Sequence, residues 1–529
     1  MPTAVYCRRM GGSLAVDAKY GPSSRPRKAK TVIRGGAVPR GEKNRLRSTL
    51  ATEVLTMWIR KSDRDRQTGR GTPVPTQIVG NEEFDPMPQT EDQKRVEQRI
   101  FELADQYSRK LGMSRRDFLR TSGGMAVSFM AMNEVFGPAF MVNEAEAAEP
   151  AATREMWPKK EFILDGQTHH VNDSMAGPLM FRTQTAKLGL NPALGSAPPD
   201  KDSLHRANYI KEVFFDSDTV MACITGAAIG PPKAYVLTSE QMVETRNVIN
   251  EMAGSRRMLS HGISTPTNPN WVDDAEQLVK ELKIDAWKFY TGDPAGPWRH
   301  DDEKVAYPFY ERTLKLGVRN ICTHKGLPIP GRGKEFFRPD DLIKAAKDWP
   351  DINWIVFHSG MKHMMTQVPA GESGIDANGN IPWTTEFCQQ IKASGVKNIY
   401  LELGAVFGHS VVTHPEVCGH LLGQVIAAVG ADHVIWGTDS IWWGSPQWQI
   451  EAFRRFQIPA TLQEKFGYRA ISPEDRALIF GLNGARLFNV DVNAARSAIP
   501  ADGLSKLKAA YQADGPEPSL TQYGWVAAG

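Results

Sequence analysis

Cysteine is scarce in this chain of 529 residues, which contains only Cys7, Cys223, Cys322, Cys388 and Cys418. No two of them have the close spacing of a zinc knuckle, and they are too few for a dense disulfide framework. The sequence therefore argues against a small disulfide-stabilised scaffold. We expect the cysteines to be core residues.

An excess of charge of one sign is also missing, because 63 Lys and Arg residues against 60 Asp and Glu residues leave a formal net charge of +3. This balance gives no indication of a nucleic-acid or membrane partner for the chain as a whole, and we expect neither. With 41% hydrophobic and 23% charged residues, the composition is typical of a soluble globular protein with a large core.

The positive charge is concentrated near the start, in a basic extension over residues 1–86. Its stretch "SSRPRKAKTVIRGGAVPRGEKNRLR" interleaves Arg and Lys with Gly, Pro and Ser and shows no apolar periodicity. Such a composition predicts disorder. A basic tail that contacts nucleic acid or lipid is one alternative. A start codon assigned too far upstream, with Met87 or Met113 as the true start, is another.

Residues 87–113 are predicted to contain an amphipathic helix, because apolar residues recur there at helical spacing. The residues on this apolar face are Val96, Ile100, Leu103, Tyr107 and Leu111.

Residues 114–147 have the order of a twin-arginine export signal. Arg115 and Arg116 precede a weakly apolar stretch that ends in the Ala-x-Ala pattern of Ala145 and Ala147. The stretch contains glycines and a glutamate, and a charged group at the centre of a membrane helix costs about 3 kcal/mol. We therefore expect cleavage and no stable membrane anchor. The translocation machinery would be a partner and the location periplasmic or secreted; the alternative is a soluble helix with a chance Arg pair.

After a linker at 148–160, residues 161–490 alternate short β-branched runs with longer helical patterns, and residues 491–529 form a C-terminal tail. The runs are 162–169, 219–226, 256–263, 284–292, 319–326, 353–360, 398–405 and 434–440. This alternation is typical of repeated β-α units around a parallel sheet. The count predicts an α/β protein with a (β/α)8 TIM barrel.

Polar residues stand where several of these runs end, which in such a barrel is the catalytic C-terminal face. Asp165, Gln167 and His169 end the first run and point to one side of a strand. The fifth, sixth and eighth runs end in His324, His358 and Asp439, in that order. Imidazole and carboxylate are ligand types that hold a divalent ion and leave one position open.

The motifs "DGQTH", "CTHKG", "VFHSG" and "WGTDS", in this order, resemble the amidohydrolase-related family of the amidohydrolase superfamily. That family includes aminocarboxymuconate-semialdehyde decarboxylase and related metal-dependent hydrolases. The stretch "LIFGLNGARLFNV" at 478–490 is similar to the closing helix of the family. The resemblance covers about residues 161–490.

The resemblance implies a divalent metal ion, most simply zinc with manganese as the alternative, held by His169, His324 and Asp439. Gln167 stands where the family has its first histidine. Its carbonyl oxygen can ligate a hard ion, but it is a weaker ligand for zinc than imidazole. His358 matches the sixth-strand histidine of the family, which acts in acid-base chemistry or binds metal, and Asp439 matches its eighth-strand carboxylate. Either His358 or Asp439 could accept the proton of the metal-bound water.

Further candidates lie on the same rim. Lys288 ends the fourth run, where some branches of the superfamily carry a carbamate between two metals, but a contact with the substrate or a structural role is favoured here. Trp442 and Trp443 either line a pocket for a planar substrate or pack the barrel rim. Glu402 and His409 complete the set.

These residues predict an enzyme for a small-molecule substrate. A metal-activated water would attack an ester, lactone or amide carbonyl. The first alternative is a carboxy-lyase that decarboxylates an unsaturated or aromatic acid at the same site. The second is an exported, non-catalytic binding protein on a degenerate barrel. Assembly into a homo-oligomer stays open.

Overall fold

The computed structural model describes residues 9–10, 13–14, 58–80, 87–172, 204–227, 235–293, 296–329, 332–363, 374–517 and 524–527. The chain divides into two units, Met1–Val54 and Leu55–Gly529. In the first unit, Arg9–Met10 and Ser13–Leu14 pair as a two-stranded antiparallel sheet.

Eight parallel strands form the centre of the second unit. They are β1 (Leu164–Thr168), β2 (Met221–Ile224), β3 (Met258–Ile263), β4 (Ala286–Phe289), β5 (Asn320–His324), β6 (Asn353–Phe357), β7 (Ile399–Glu402) and β8 (Val434–Ile435). Each strand pairs with the next one along the chain. All eight predicted strands are present, so the predicted α/β barrel is confirmed.

The sheet closes where the chain leaving β8 runs beside β1. Gly166 donates its main-chain N–H to the Trp436 carbonyl over 2.9 Å, and Asp439 donates its own to the Gln167 carbonyl over 3.0 Å. These contacts bring the predicted site residues of the first and last strands together.

Helices follow the strands. From β1 onward the α-helices are Arg206–Ile210, Ser239–Ala253, Trp271–Lys280, Tyr307–Lys315, Asp341–Asp348, Thr384–Ser394, Val406–Ser410, Pro415–Val429, Gln447–Arg455, Ala460–Phe466, Pro473–Ala477, Asn483–Leu487, Val492–Ala498 and Gly503–Ala513. Lys211–Phe215 and Leu478–Leu482 are π-helical, and short 3-10 turns cover Lys334–Phe337, His358–Gly360, Ala431–His433 and Ile499–Ala501.

The cysteines that the structure describes lie in the core. Cys223, Cys322, Cys388 and Cys418 are buried and carry free thiols. Cys7 lies outside the described residues.

The predicted disorder of residues 1–86 does not hold for residues 58–80. Trp58–Arg60 is a strand that pairs antiparallel with Trp525–Ala527, and the helix Lys61–Thr68 follows it. Val74 and Val79 are buried. The partner strand lies near the opposite end of the chain, so no local sequence pattern could predict the pairing. The prediction for 1–57, apart from the short hairpin, and for 81–86 lies outside the described residues.

The predicted amphipathic helix spans Glu91–Lys110. Its face buries Val96, Ile100, Leu103 and Tyr107, as the spacing indicates. Leu111 is 41% exposed instead, because the helix ends one residue before it.

The predicted signal segment folds as the helices Arg115–Leu119, Ser122–Phe136 and Glu144–Ala148. The middle helix is largely buried, and it packs against Glu91–Lys110. Ala147, the last residue of the Ala-x-Ala pattern, is 1% exposed. Export and cleavage stay predictions.

The predicted linker at 148–160 contains the helix Pro150–Met156, and the predicted tail at 491–529 contributes two helices and the strand Trp525–Ala527. Both segments have more regular structure than we expected, since each finds its partner outside its own sequence window. In the part of the chain that the structure describes, no helix is both long and apolar enough to cross a bilayer.

Candidate active site at the carboxyl ends of the strands

The carboxylate of Asp439 is held by two side chains from β1 and the residue after it. Gln167 donates its Nε2 hydrogen to Asp439 Oδ1 over 2.8 Å, and His169 Nε2 lies 3.0 Å from the same oxygen. The two-residue period of a strand points Gln167 and His169 to the same side, as predicted. Asp439 adopts a φ of +59°, a left-handed conformation that turns the chain as it leaves β8.

Asp165 stabilises this arrangement through hydrogen bonds. Its carboxylate accepts the main-chain N–H groups of Gln167 and Thr438, and also the Thr438 hydroxyl. It therefore joins β1 to the segment after β8, and burial raises its pKa to about 7. The structure thus places Asp165 in contact with the strands rather than with a substrate.

His324 and His358 form a second pair. His324 Nε2 lies 3.2 Å from the Leu327 carbonyl, and His358 Nδ1 lies 2.9 Å from the Gly404 carbonyl. A carbonyl oxygen only accepts, so each of these nitrogens carries the hydrogen. The other two nitrogens, His324 Nδ1 and His358 Nε2, stand 3.2 Å apart. In the neutral rings both are acceptors, which leaves two lone pairs facing each other.

The backbone around His358 is left-handed, with φ of +62° at His358 and +49° at Ser359. Such conformations cost about 1–3 kcal/mol each in non-glycine residues and persist only where neighbouring contacts enforce them. Here Glu402 supplies contacts: its Oε2 accepts the His358 N–H over 3.2 Å, and its main-chain carbonyl accepts the Ser359 hydroxyl over 2.8 Å.

Lys288 lies one residue before the end of β4 and is buried inside the barrel. Its ammonium nitrogen lies 3.4 Å from the centre of the Phe357 ring and 4.9 Å from that of Tyr290, which stacks on His324. Its positive charge lowers the pKa values of the histidines and of the carboxyl groups around it. The positive charge of Lys288 therefore acts on both the Asp439 group and the His324–His358 pair.

Burial is nevertheless the larger influence on these groups. It lowers the pKa of His169 and of His358 to about 3, so both rings are neutral near pH 7. It raises the pKa of Asp439 to about 7 and that of Glu402 to about 8. Carboxyl groups that titrate near neutrality can exchange protons during a reaction.

The chemistry of these donors fits a divalent cation. A cation would relieve the repulsion between the facing acceptors of His324 and His358. Gln167 Oε1 is buried and has no hydrogen-bond partner among the residues described. Across those residues, however, no three His, Cys, Asp or Glu side chains already surround one point. The predicted ligands Gln167, His169, His324 and Asp439 thus stand in two groups, and their role as ligands stays a prediction.

The two tryptophans after β8 differ in position. Trp442 stacks on the His169 ring with centroids 5.3 Å apart. Trp443 donates its indole N–H to the Thr438 carbonyl over 3.2 Å and lies beside Trp448. Only Trp442 borders the site directly, whereas the contacts of Trp443 are those of rim packing.

The two remaining rim candidates, Glu402 and His409, differ in their contacts. Glu402 contacts the backbone of His358, whereas the His409 ring lies 6.3 Å from Trp443. His170 Nε2 lies 2.9 Å from Thr245 Oγ1, on the outer side of the barrel wall, as the strand period indicates.

A buried histidine in the barrel interior was not predicted from the sequence. His261 in β3 places Nε2 3.4 Å from both Cys223 Sγ and Cys322 Sγ in the barrel interior. Its polar side chain in the apolar run "RRMLSHGI" was the available signal. A position in the middle of a strand, rather than at its end, kept it out of the rim pattern.

Comparison with known proteins adds a family and several structures of similar topology. A family model described as Amidohydrolase matches residues 211–490, more than half of the chain. The matched range begins after β1, so it does not include Gln167 and His169. No curated protein is similar enough to count as a match.

Three solved structures illustrate the likeness. An uncharacterized TIM-barrel protein from Bordetella bronchiseptica is 15% identical, over 62% of this chain and 98% of its own, with a TM-score of 0.41. The 5-carboxyvanillate decarboxylase of Sphingomonas paucimobilis is 12% identical, over 62% and 99%, with a TM-score of 0.39. A dihydroxybenzoic acid decarboxylase from Polaromonas, solved with manganese and 2-nitroresorcinol, is 15% identical, over 63% and 99%, at 0.37. TM-scores below 0.5 carry no argument about the reaction of this chain.

Proposed function

The chain belongs to the amidohydrolase family, and from this premise we propose that it is a hydrolase that cleaves an ester, lactone or amide bond of a small molecule. Family membership supports an enzyme of hydrolase or carboxy-lyase type. The choice of hydrolysis rests on one observation: Gln167 and His169 hold one oxygen of the buried Asp439 carboxyl group, whose pKa burial raises to about 7.

A carboxylate with this pKa is suited to take a proton from water near neutral pH, since its basic form is populated and it still binds the proton. Gln167 and His169 hold one oxygen of Asp439, which fixes the direction of the carboxylate. We assign Asp439 the role of general base.

The other residues follow from their positions. A divalent ion bound by His169, His324, Asp439 and Gln167 would supply positive charge that acidifies water and polarises a carbonyl. Lys288 provides a fixed cation that attracts an anionic group of the substrate.

His358 has a hydrogen on Nδ1 and an acceptor at Nε2, so Nε2 is the alternative acceptor of the water proton and could return it to the leaving group. Trp442 presents a flat apolar surface to a planar substrate beside His169.

Turnover of p-nitrophenyl acetate, a panel of lactones and a panel of aromatic carboxylic acids tests the proposal. We expect release of nitrophenol or opening of a lactone, reduced at least about 100-fold in Asp439→Asn. Asp432→Asn is the matched control, because Asp432 lies just before the opposite end of β8. Release of CO2 without ester or lactone cleavage would establish the carboxy-lyase instead. Absence of any turnover, with ligand binding retained, would establish the binding protein.

Metal analysis of the purified protein tests the ion independently of turnover. We propose zinc, with manganese as the alternative, and expect His324→Ala to release it, because that variant removes an imidazole ligand. A metal content unchanged by His324→Ala would contradict this ligand set.

We also propose export through the twin-arginine pathway. Its support is the order of Arg115, Arg116 and the Ala-x-Ala pattern in the sequence. Both arginines are exposed. A reporter fused to the native segment should leave the cell, and one that carries Arg115→Lys and Arg116→Lys should stay inside. A native fusion that also stays inside the cell would refute export.

A further inference from the structure

The carboxyl group of Glu402 binds two main-chain N–H groups that flank the candidate proton carrier. Oε1 accepts the Gly404 N–H over 2.6 Å, and Oε2 accepts the His358 N–H over 3.2 Å. The Gly404 carbonyl in turn accepts hydrogen from His358 Nδ1 over 2.9 Å. Glu402, Gly404 and His358 thus form a closed ring of hydrogen bonds, which we call the Glu402 ring.

Two glycines beside the Glu402 ring could not carry a side chain without a clash with Glu402. A Cβ atom added at Gly437 would lie 1.7 Å from Glu402 Oε1, and one added at Gly404 would lie 2.6 Å from the same oxygen. The side chain is buried and its carboxylate cannot swing away without displacing this backbone. This close packing therefore fixes where the Gly404 carbonyl stands.

The orientation of the His358 ring depends on that carbonyl. With Nδ1 bound to Gly404, the ring directs Nε2 toward His324. The Ser359 hydroxyl, bound to the Glu402 carbonyl, secures the next residue of the same left-handed turn. In the part of the chain that the structure describes, the hydrogen bonds of the Glu402 carboxyl group go to the backbone of His358 and Gly404, so its effect on the reaction passes through the position of His358.

We propose that Glu402 is a positioning residue, which holds His358 in the Nδ1–H tautomer and presents Nε2 to the reacting atoms. This inference rests on the proposed function for its kinetic consequence only. The tautomer itself is a property of the protein without substrate.

Glu402→Gln tests it, because an amide keeps the size but offers only one acceptor atom for the two N–H groups. With p-nitrophenyl acetate we expect kcat to fall about 10- to 100-fold while KM changes less than about twofold. Glu146→Gln is the control: Glu146 is a buried carboxyl group that also accepts a main-chain N–H, from Asn143, away from this ring. It should lower the melting temperature and leave kcat unchanged.

The tautomer supplies a second readout. In protein labelled with ¹⁵N-histidine, the His358 signals are those missing from His358→Gln, and we expect an Nδ1–H pattern that is lost in Glu402→Gln. If Glu402→Gln does not fold, Glu402→Asp, which shortens the reach to one N–H, takes its place with the same expectation.

Retention of both kcat and the Nδ1–H pattern in a folded variant would overturn the positioning role. If the wild-type protein hydrolyses none of the esters or lactones, the proposed function fails. The tautomer alone then decides this inference: loss supports it and retention overturns it.

Discussion

At the scale of single residues, the proposed metal site makes a prediction about Gln167. Imidazole binds zinc more strongly than an amide oxygen. We therefore predict that Gln167→His tightens zinc binding about tenfold or more, and that Gln167→Leu weakens it by a similar factor. Competition with a chromophoric chelator measures both. Equal affinities in the two variants would show that residue 167 does not ligate the ion.

Burial raises the pKa of Asp439, and the positive charge of Lys288 partly offsets this shift. Asp439 must be a carboxylate to act as a base, so activity should fall as the pH drops below about 7. The positive charge of Lys288 favours the ionised form and lowers this pKa. We predict that Lys288→Met moves the acid limb of the kcat profile to higher pH.

The control for Lys288 is Lys211→Met, which removes a buried ammonium group paired with Asp216 and Glu212 in the π-helical segment Lys211–Phe215. It should leave the profile unchanged. An acid limb that does not move in Lys288→Met would show that Asp439 is not the titrating base, or that Lys288 does not act on it.

Site residues at the ends of strands could be predicted from the sequence, whereas the residues that position them through hydrogen bonds could not. His169, His324, His358 and Asp439 each follow an apolar run, so a local pattern places them on one rim. The role of Glu402 depends on its hydrogen bond to the main chain of His358, which is 44 positions away and which no local pattern contains. The same holds for the tautomer of His358, which follows from the Gly404 carbonyl 46 positions away.

At the scale of elements, the short helix Glu144–Ala148 is tied to the barrel by a buried ion pair. Glu146 Oε2 lies 3.2 Å from Arg455, and both side chains are at most 1% exposed. Glu451 also binds Arg455, so the arginine would keep one partner if Glu146 were neutralised.

We predict that Glu146→Gln lowers the free energy of unfolding by about 3 kcal/mol, near the low end for breaking a buried pair. Urea titration measures the loss. Glu149→Gln, at an exposed position one turn later, should change it by less than about 0.5 kcal/mol. A small effect of Glu146→Gln would mean that this helix contributes little to the fold.

This contact also bears on the export prediction. Cleavage after Ala147 would remove Glu146 and leave Arg455 with Glu451 alone. A sequence pattern reports the twin arginines and the small residues, but not that the same segment packs into a core. The helical periodicity of Glu91–Lys110 was easier to interpret, because its apolar face is complete within one window.

At the scale of the whole molecule, the barrel was predictable because its eight strands are local apolar runs in a regular order. The pairing of Trp58–Arg60 with Trp525–Ala527 was not, since it joins the two ends of the described chain. Its stability depends on both segments being present. That dependence distinguishes a folded N-terminal segment from the disordered extension that the basic composition predicts.

Two truncations test this dependence. Removal of residues 1–57 keeps the strand and should leave the melting temperature unchanged. Removal of residues 1–86 takes away Trp58–Arg60 together with Val74 and Val79, which are both at most 4% exposed. It also removes the strand that pairs with Trp525 and the guanidinium group of Arg60, which in the full chain lies 4.4 Å from the centre of the Trp525 ring.

We expect the longer truncation to cost at least about 2 kcal/mol, the scale of losing a single buried aliphatic side chain. Thermal and urea unfolding of the two truncated proteins, side by side with the full chain, measure it. Equal stability of all three would mean that residues 58–80 add nothing to the fold. Because the active-site strands lie outside both deletions, turnover per folded molecule should be the same in each, and a selective loss in the longer truncation would instead assign this segment a part in the site.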